Sequence, residues 1–236
     1  MNIAVILFGP PGSGKGTQAQ LLADKLNLFH FDTGKYIRDI LYNPKLKNNA
    51  AIKRERRLNE SGQLNTSSWV FGIVSKKIKE IDKINKGIVL SGSPRTIAEA
   101  FGRNSDSNGL MDILEKDYGK KNIFIFILKI TAEESIKRNS HRLICSICKT
   151  PVLNMPRFRN IKISTCLFCG GKMNHRFDDK KEVISERLKE YENQSQPIIR
   201  EIKRRNFRII TINGLPLPYK IHRLIMAKTA KFTNKN

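Results

Sequence analysis

Residues 9–17 read Gly-Pro-Pro-Gly-Ser-Gly-Lys-Gly-Thr, directly after the apolar run Asn2–Phe8 (NIAVILF). A continuous apolar run of that length suits a strand buried on both faces. After the loop, Leu21, Leu22 and Leu26 recur on one face of a helix predicted from about Lys15 to Leu26. Strand, glycine-rich turn and helix in that order form a phosphate loop. Gly12, Gly14 and Gly16 let the backbone fold tightly, so that successive N–H groups, Ser13's among them, face one anion. The helix N-terminus adds favourable partial charge, and Lys15 reaches the β- and γ-phosphates of a nucleoside triphosphate. The common pattern has Ser or Thr directly after the lysine; here Gly16 intervenes and Thr17 follows. The loop specifies a triphosphate site. It does not specify what receives the phosphate.

Working outward, Leu28–Phe31, Gly87–Leu90, Ile123–Ile130 and Phe207–Ile212 read as further short strands. Helices are predicted over about Lys35–Leu41, Leu46–Asn59, Ser67–Ile84, Thr131–Ser140, Lys180–Lys203 and Tyr219–Lys228, with a break at Pro44. Asp32, Thr33 and Gly34 look like a helix start, and Thr131 with Glu134 matches a capping box. Strands alternating with helices imply an α/β fold, a parallel sheet flanked by crossover helices.

The 236 residues suffice for one α/β domain with small inserted lobes. No apolar run approaches the roughly 20 residues that span a bilayer, and the N-terminal stretch does not read as a secretory signal. A cytoplasmic protein with no membrane partner is expected. The formal charge of +23 fits a nucleic-acid binder, a nucleotide enzyme or a compositional bias toward Lys, Asn and Ile. Because the basic residues spread along the whole chain, the last two are favoured and nucleic acid is not expected as a partner. Only 229–236 resembles a short basic tail.

The four cysteines are clustered. Cys145 and Cys148 form one C-x2-C pair, Cys166 and Cys169 another, with 17 residues between the pairs. That spacing fits a tetrahedral structural Zn2+ site with four thiolates. Gly170-Gly171 permits the second tight turn. A redox C-x-x-C expects one pair at a helix start; an iron site or free thiols are the remaining alternatives.

Taken together, GPPGSGKGTQ (9–18), DTGKYIR (32–38), SGQL (61–64), SGSPRT (91–96), RFDD (176–179) and ERL (186–188) resemble the adenylate kinase family, in the right order over nearly the whole chain. The resemblance implies reversible phosphoryl transfer between ATP, carried with Mg2+, and AMP, in a monomer of three parts. A core would span 1–32, 67–140 and 177–228, an NMP-binding lobe 33–66 and a zinc-bearing lid 141–176. Gly12 to Thr17, with Arg142, would hold ATP. Thr33, Arg38, Gln63, Leu64, Asn65, Gly92, Ser93, Pro94, Arg95, Glu99, Arg176 and Arg187 would hold AMP. Lys15, Arg95, Arg138, Arg142, Arg176 and Arg187 would close over the transferring group. Their chemistry stands without the family, since phosphoryl transfer needs positioning and cationic stabilisation rather than a general base.

The chain departs from the family pattern at several positions. Ser91 stands where the family has the Asp that organises magnesium through water, Ser93 replaces Phe, and Asn65, Thr66 and Ser67 replace other residues beside the AMP lobe. His141 replaces Gly and reads as an exposed loop residue. Glu99 replaces a Gln that would accept from adenine N6 and donate to N1. An ionised Glu only accepts, which suits the N1–H and N2–H of guanine. Either GMP is tolerated, or Glu99 is protonated or solvent-facing and AMP remains the acceptor. A weakly active nucleotide-binding homologue is the alternative that Ser91 raises.

Overall fold

The computed structural model describes residues 2–103, 108–153, 163–176 and 179–233. In chain order its strands are β1 (Ala4–Phe8), β2 (Phe29–Asp32), β3 (Ile88–Ser91), β4 (Ile123–Lys129), β5 (Arg142–Cys145), β6 (Pro151–Leu153), β7 (Met173–His175) and β8 (Ile209–Asn213). The helices are α1 (Lys15–Leu26), α2 (Thr33–Leu41), α3 (Ala50–Ser61), α4 (Ser67–Asp82), α5 (Ile97–Phe101), α6 (Leu110–Tyr118), α7 (Ala132–Ser140), α8 (Lys181–Glu190), α9 (Gln196–Arg204) and α10 (Pro218–Thr233).

Five strands make one parallel sheet in the order β2-β3-β1-β4-β8. Every residue of β1 is buried, because each face of the sheet has its own helical layer. Ala4, Ile6 and Phe8 face α4, α6 and α9 through Val74, Met111 and Ile198. Val5 and Leu7 face α1 and α10 through Ala19, Leu22, Ile221 and Ile225. The chain therefore winds both ways from β1, and a crevice opens at the carboxyl ends of the strands, where such sheets bind ligands. The phosphate loop leaves β1 at that point. The α/β class and parallel sheet expected from the sequence are what is found.

The second sheet, β6-β5-β7, is antiparallel and lies wholly within residues 142–175. Among the described residues its core is small: Leu143, Cys145, Cys166 and Met173, with Val152 and Ile163 packed against them. The periodicity showed no strands here, because three-residue strands leave too little alternation to detect. Helices α5 and α6 were likewise not expected. Around Pro44 the predicted break is a short 3-10 turn over Pro44–Leu46, and α3 begins only at Ala50 with Asn49 as its cap. The long helix predicted over 180–203 is α8 and α9 joined by a π turn at Tyr191–Ser195. Pro197 has no N–H to offer the preceding turn, which accounts for the widening.

Candidate active site

At the phosphate loop, the first turn of α1 has no side-chain cap, and its N-cap Gly14 sits at φ +93°. The orphan N–H groups there are a ready anion cradle. Gly9 is required sterically, because a Cβ there would lie 2.5 Å from the Leu128 carbonyl oxygen. Helix α7 braces the loop from behind. Ser135 Oγ donates to the Pro11 carbonyl at 2.6 Å, and a Cβ on Gly12 would strike Asn139 Nδ2 at 2.6 Å.

Lys15 Nζ donates to the carbonyls of Gly9 (2.6 Å) and Pro10 (2.9 Å). Burial lowers its pKa to about 7, with Arg95, Arg187 and Arg142 adding repulsion in that order. Three arginines far apart in sequence thus bear on one lysine.

Across the crevice, Arg95 Nε donates to the Gly92 carbonyl at 2.7 Å. A Cβ on Gly34 would sit 3.2 Å from Arg38 Nη1 and 3.8 Å from Arg95 Nη2, so the two guanidiniums flank one small opening. The buried hydroxyls of Thr33 and Ser93 beside it have no hydrogen-bond partner among the described residues. Paired guanidiniums with spare hydroxyls suit a second phosphate.

Arg142 and Arg187 converge from other elements. Arg142 heads β5 and donates through Nε to Asp179 Oδ2 at 2.9 Å; Arg187, on α8, lies 3.7 Å from Asp179 Oδ1. Since Leu143 pairs with His175 in the antiparallel ladder, Arg142 and Arg176 stand at the same end of the small sheet.

At the other end of that sheet the four cysteine sulfurs lie within 4.8 Å of one another. Cys145 and Cys169 are 3.4 Å apart and Cys148 and Cys166 3.6 Å. A tetrahedral site with Zn–S of about 2.3 Å has sulfurs about 3.8 Å apart, so the cluster is compatible with zinc. Gly171 is part of the fit: a Cβ there would meet Cys145 Sγ at 2.8 Å.

The adenylate kinase family model matches residues 7–207. The chain belongs to the adenylate kinase family. Among curated relatives, the adenylate kinase of Methanosarcina barkeri is 32% identical over 98% of this chain and 100% of its own. That of Petrotoga mobilis is 32% identical over 89% of both chains, and that of Methanothrix thermoacetophila 34% over 84% and 85%. The protein is therefore a phosphotransferase acting on nucleoside monophosphates.

Seen as an adenylate kinase, the chain places Lys15, Arg38, Arg95, Arg142 and Arg187 around one crevice. Arg138 is engaged locally. It pairs with Glu134 at 2.6 Å and donates to the Gly214 carbonyl at 2.9 Å and the Leu215 carbonyl at 3.2 Å, tying α7 to the loop after β8. Glu134 thus turns to Arg138, while Thr131 caps α7 through the Glu134 N–H at 3.2 Å. Thr17 and Gln63 are exposed and Leu64 half-buried. His141 is exposed, as expected. Phe177 and Asp178 of the RFDD motif, and 234–236 of the tail, lie outside the described residues.

The unusual Asn65, Thr66 and Ser67 acquire a physical reason. Glu55 is fully buried, and it accepts from Asn65 Nδ2 (3.1 Å), Thr66 N (2.9 Å) and Thr66 Oγ1 (2.6 Å). Burial pushes the Glu55 pKa up, but the Thr66, Asn65 and Arg54 bonds outweigh it and leave the carboxyl below its ordinary value. Ser67 Oγ meets Thr96 Oγ1 at 3.0 Å. Nothing in the α3 pattern marked Glu55 as buried; the signal was the run of short polar residues at 65–67. Glu55→Ala leaves these donors unpaired and is expected to cost about 3–5 kcal/mol of folding free energy by urea denaturation, with Arg54→Ala near neutral.

Proposed function

We propose that the enzyme transfers the γ-phosphoryl group of ATP to AMP, reversibly, giving two ADP. What supports this best is the convergence of Arg95, Arg187 and Arg142 on Lys15, since it assembles cations from three separate segments on the phosphate loop. In this reading the 9–17 loop and Lys15 hold the donor phosphates. Arg38 and Arg95 hold the acceptor phosphate, and Gln63, Leu64, Asn65, Gly92, Ser93, Pro94 and Glu99 surround the rest of the AMP.

Segments 33–66 and 141–176 act as NMP lobe and lid. Their closure carries Arg142 and Arg176 toward Arg187 and the transferring group and excludes water, so that ATP is not hydrolysed. Arg138 contributes by holding the loop after β8 against the phosphate loop. Mg2+, arriving with ATP, would supply neutralising charge to the triphosphate. The four cysteines hold a structural Zn2+ in the lid. A coupled assay with ATP and each of AMP, GMP, CMP and UMP tests the reading: AMP is expected to be the best acceptor, and hydrolysis without transfer to any of them would refute it.

Glu99 refines base choice. It is buried, Oε2 accepts from the Arg95 N–H at 2.8 Å, and burial raises its pKa to about 7 despite that bond and the Arg95 charge. The Thr96 side chain also bonds this carboxyl, and a base would meet it from the remaining direction. Protonated, it donates to adenine N1; ionised, it accepts from guanine N1–H. AMP is therefore favoured below the pKa and GMP gains above it. From pH 6 to pH 8 the protonated fraction falls about tenfold, and kcat/KM for AMP relative to GMP is expected to fall with it. In Glu99→Gln the ratio is expected to stay flat and high. A wild-type ratio equally flat would remove Glu99 from base recognition.

A further inference from the structure

Ser91 has no charge to offer where the family has an aspartate, and the surrounding structure answers that loss. In the parallel register Asp32 of β2 is the neighbour of Ser91 of β3. Val89, two residues before Ser91, packs on the α1 side of the sheet, so Ser91 faces α1 as well. Asp32 faces the same side. A Cβ built on Gly16, in the first turn of α1, lies 4.0 Å from Asp32 Oδ2. The other oxygen, Oδ1, accepts from the Lys35 N–H at 3.0 Å and caps α2. One half of the carboxylate thus holds a helix and the other is turned to the phosphate loop, where its charge opposes the fall in the Lys15 pKa.

A directed hydrogen-bond chain sets the orientation of the Ser91 hydroxyl. The Asp24 carboxylate accepts from Gln20 Nε2 at 2.8 Å, which assigns the amide. Gln20 Oε1, 3.0 Å from His30 Nδ1, must then accept, so Nδ1 carries the proton. In the neutral ring Nε2 is an acceptor, and Ser91 Oγ, 2.8 Å away, donates to it. Burial lowers the His30 pKa, against the attraction of Asp32 and Asp24, which favours that neutral ring. The lone pairs of Ser91 Oγ remain available to accept from other donors.

We propose that Asp32 and Ser91 together accept hydrogen bonds from the water shell of MgATP, the negative charge having moved from β3 to the end of the adjacent strand. Asp32 is a positioning residue in this scheme, and Gln20 and His30 hold the Ser91 lone pairs toward the nucleotide. The inference rests on the phosphoryl-transfer reading, but its test does not depend on the acceptor.

Dissociation constants for ATP with excess EDTA and for MgATP, measured by calorimetry without NMP, give the metal preference of binding directly. Asp32→Asn and Asp32→Ser both keep a helix-capping oxygen. Each is expected to bind metal-free ATP at least as tightly as the wild type and MgATP about tenfold less tightly, as loss of a charged acceptor implies. Adding Ser91→Asp to either variant should restore the preference for MgATP. Equal losses for both forms of ATP, an unchanged preference, or no rescue by Ser91→Asp would each overturn the proposal. Failure of the AMP assay alone would leave it standing.

Discussion

Replacing Lys15 with methionine is expected to lower the rate of ADP formation by at least about a thousandfold while the protein stays folded. Among the described residues the ammonium holds only the carbonyls of Gly9 and Pro10, so its loss removes no core contact. Its charge would be supplied to the bridging region of the triphosphate, where a single preorganised donor contributes about 10²–10³ and a cation more.

The pKa of about 7 adds a second readout. In the free protein Lys15 is charged below pH 7 and largely neutral at pH 8, while beside a polyphosphate it is charged at both. ATP binding should therefore take up close to one proton at pH 8 and almost none at pH 6. Calorimetry in buffers of different ionisation enthalpy measures this directly. The uptake should vanish in Lys15→Met; uptake unchanged in that variant would assign the shifted group elsewhere.

Chelating the zinc proposed for the cysteine cluster is expected to have the second large effect. Among the described residues, the insert's own core is four buried residues and two partly buried ones, too few to hold three short strands. Structural zinc supplies about 10–16 kcal/mol in small domains of this kind. Chelation under mild denaturant, or paired Cys145→Ser and Cys166→Ser substitutions, should open residues 142–175 to protease while the parallel sheet keeps its own cooperative transition.

Transfer should fall with the insert, by about a hundredfold or more, because Arg142 opens β5 and Arg176 follows β7. The ladder that sets those two side chains is the ladder a zinc ion on the cysteines would staple at its far end. Metal analysis of the purified protein should return one zinc per chain. No zinc, together with proteolysis indifferent to chelator, would mean that the thiols serve some other purpose.

How far each of these sites could be read from the chain depends on whether its parts are neighbours along it. The phosphate loop was legible because nine consecutive residues carry all its requirements: backbone freedom at the glycines, one lysine, and a strand and helix on either side. The cysteine cluster was legible because two C-x2-C turns have a fixed local reach, whatever lies between them. The parallel sheet followed from apolar runs of strand length separated by helical ones.

What only the tertiary structure decided are features whose members meet through the sheet. Arg95, Arg142 and Arg187 bear on Lys15 because β1 and β3 end side by side and Asp179 anchors the other two arginines. Glu55 reads as one more charge on a basic helix until Asn65 and Thr66 fold back over it. Glu99 was expected to face either a base or solvent; burial and the Arg95 N–H hold one of its oxygens in the protein and raise its pKa. Asp32 becomes a neighbour of Ser91 only when β2 pairs with β3. Sequence records which groups are available and their local spacing, whereas burial and the approach of distant charges, which set the protonation of Lys15 and Glu99, arise when separate strands share a register.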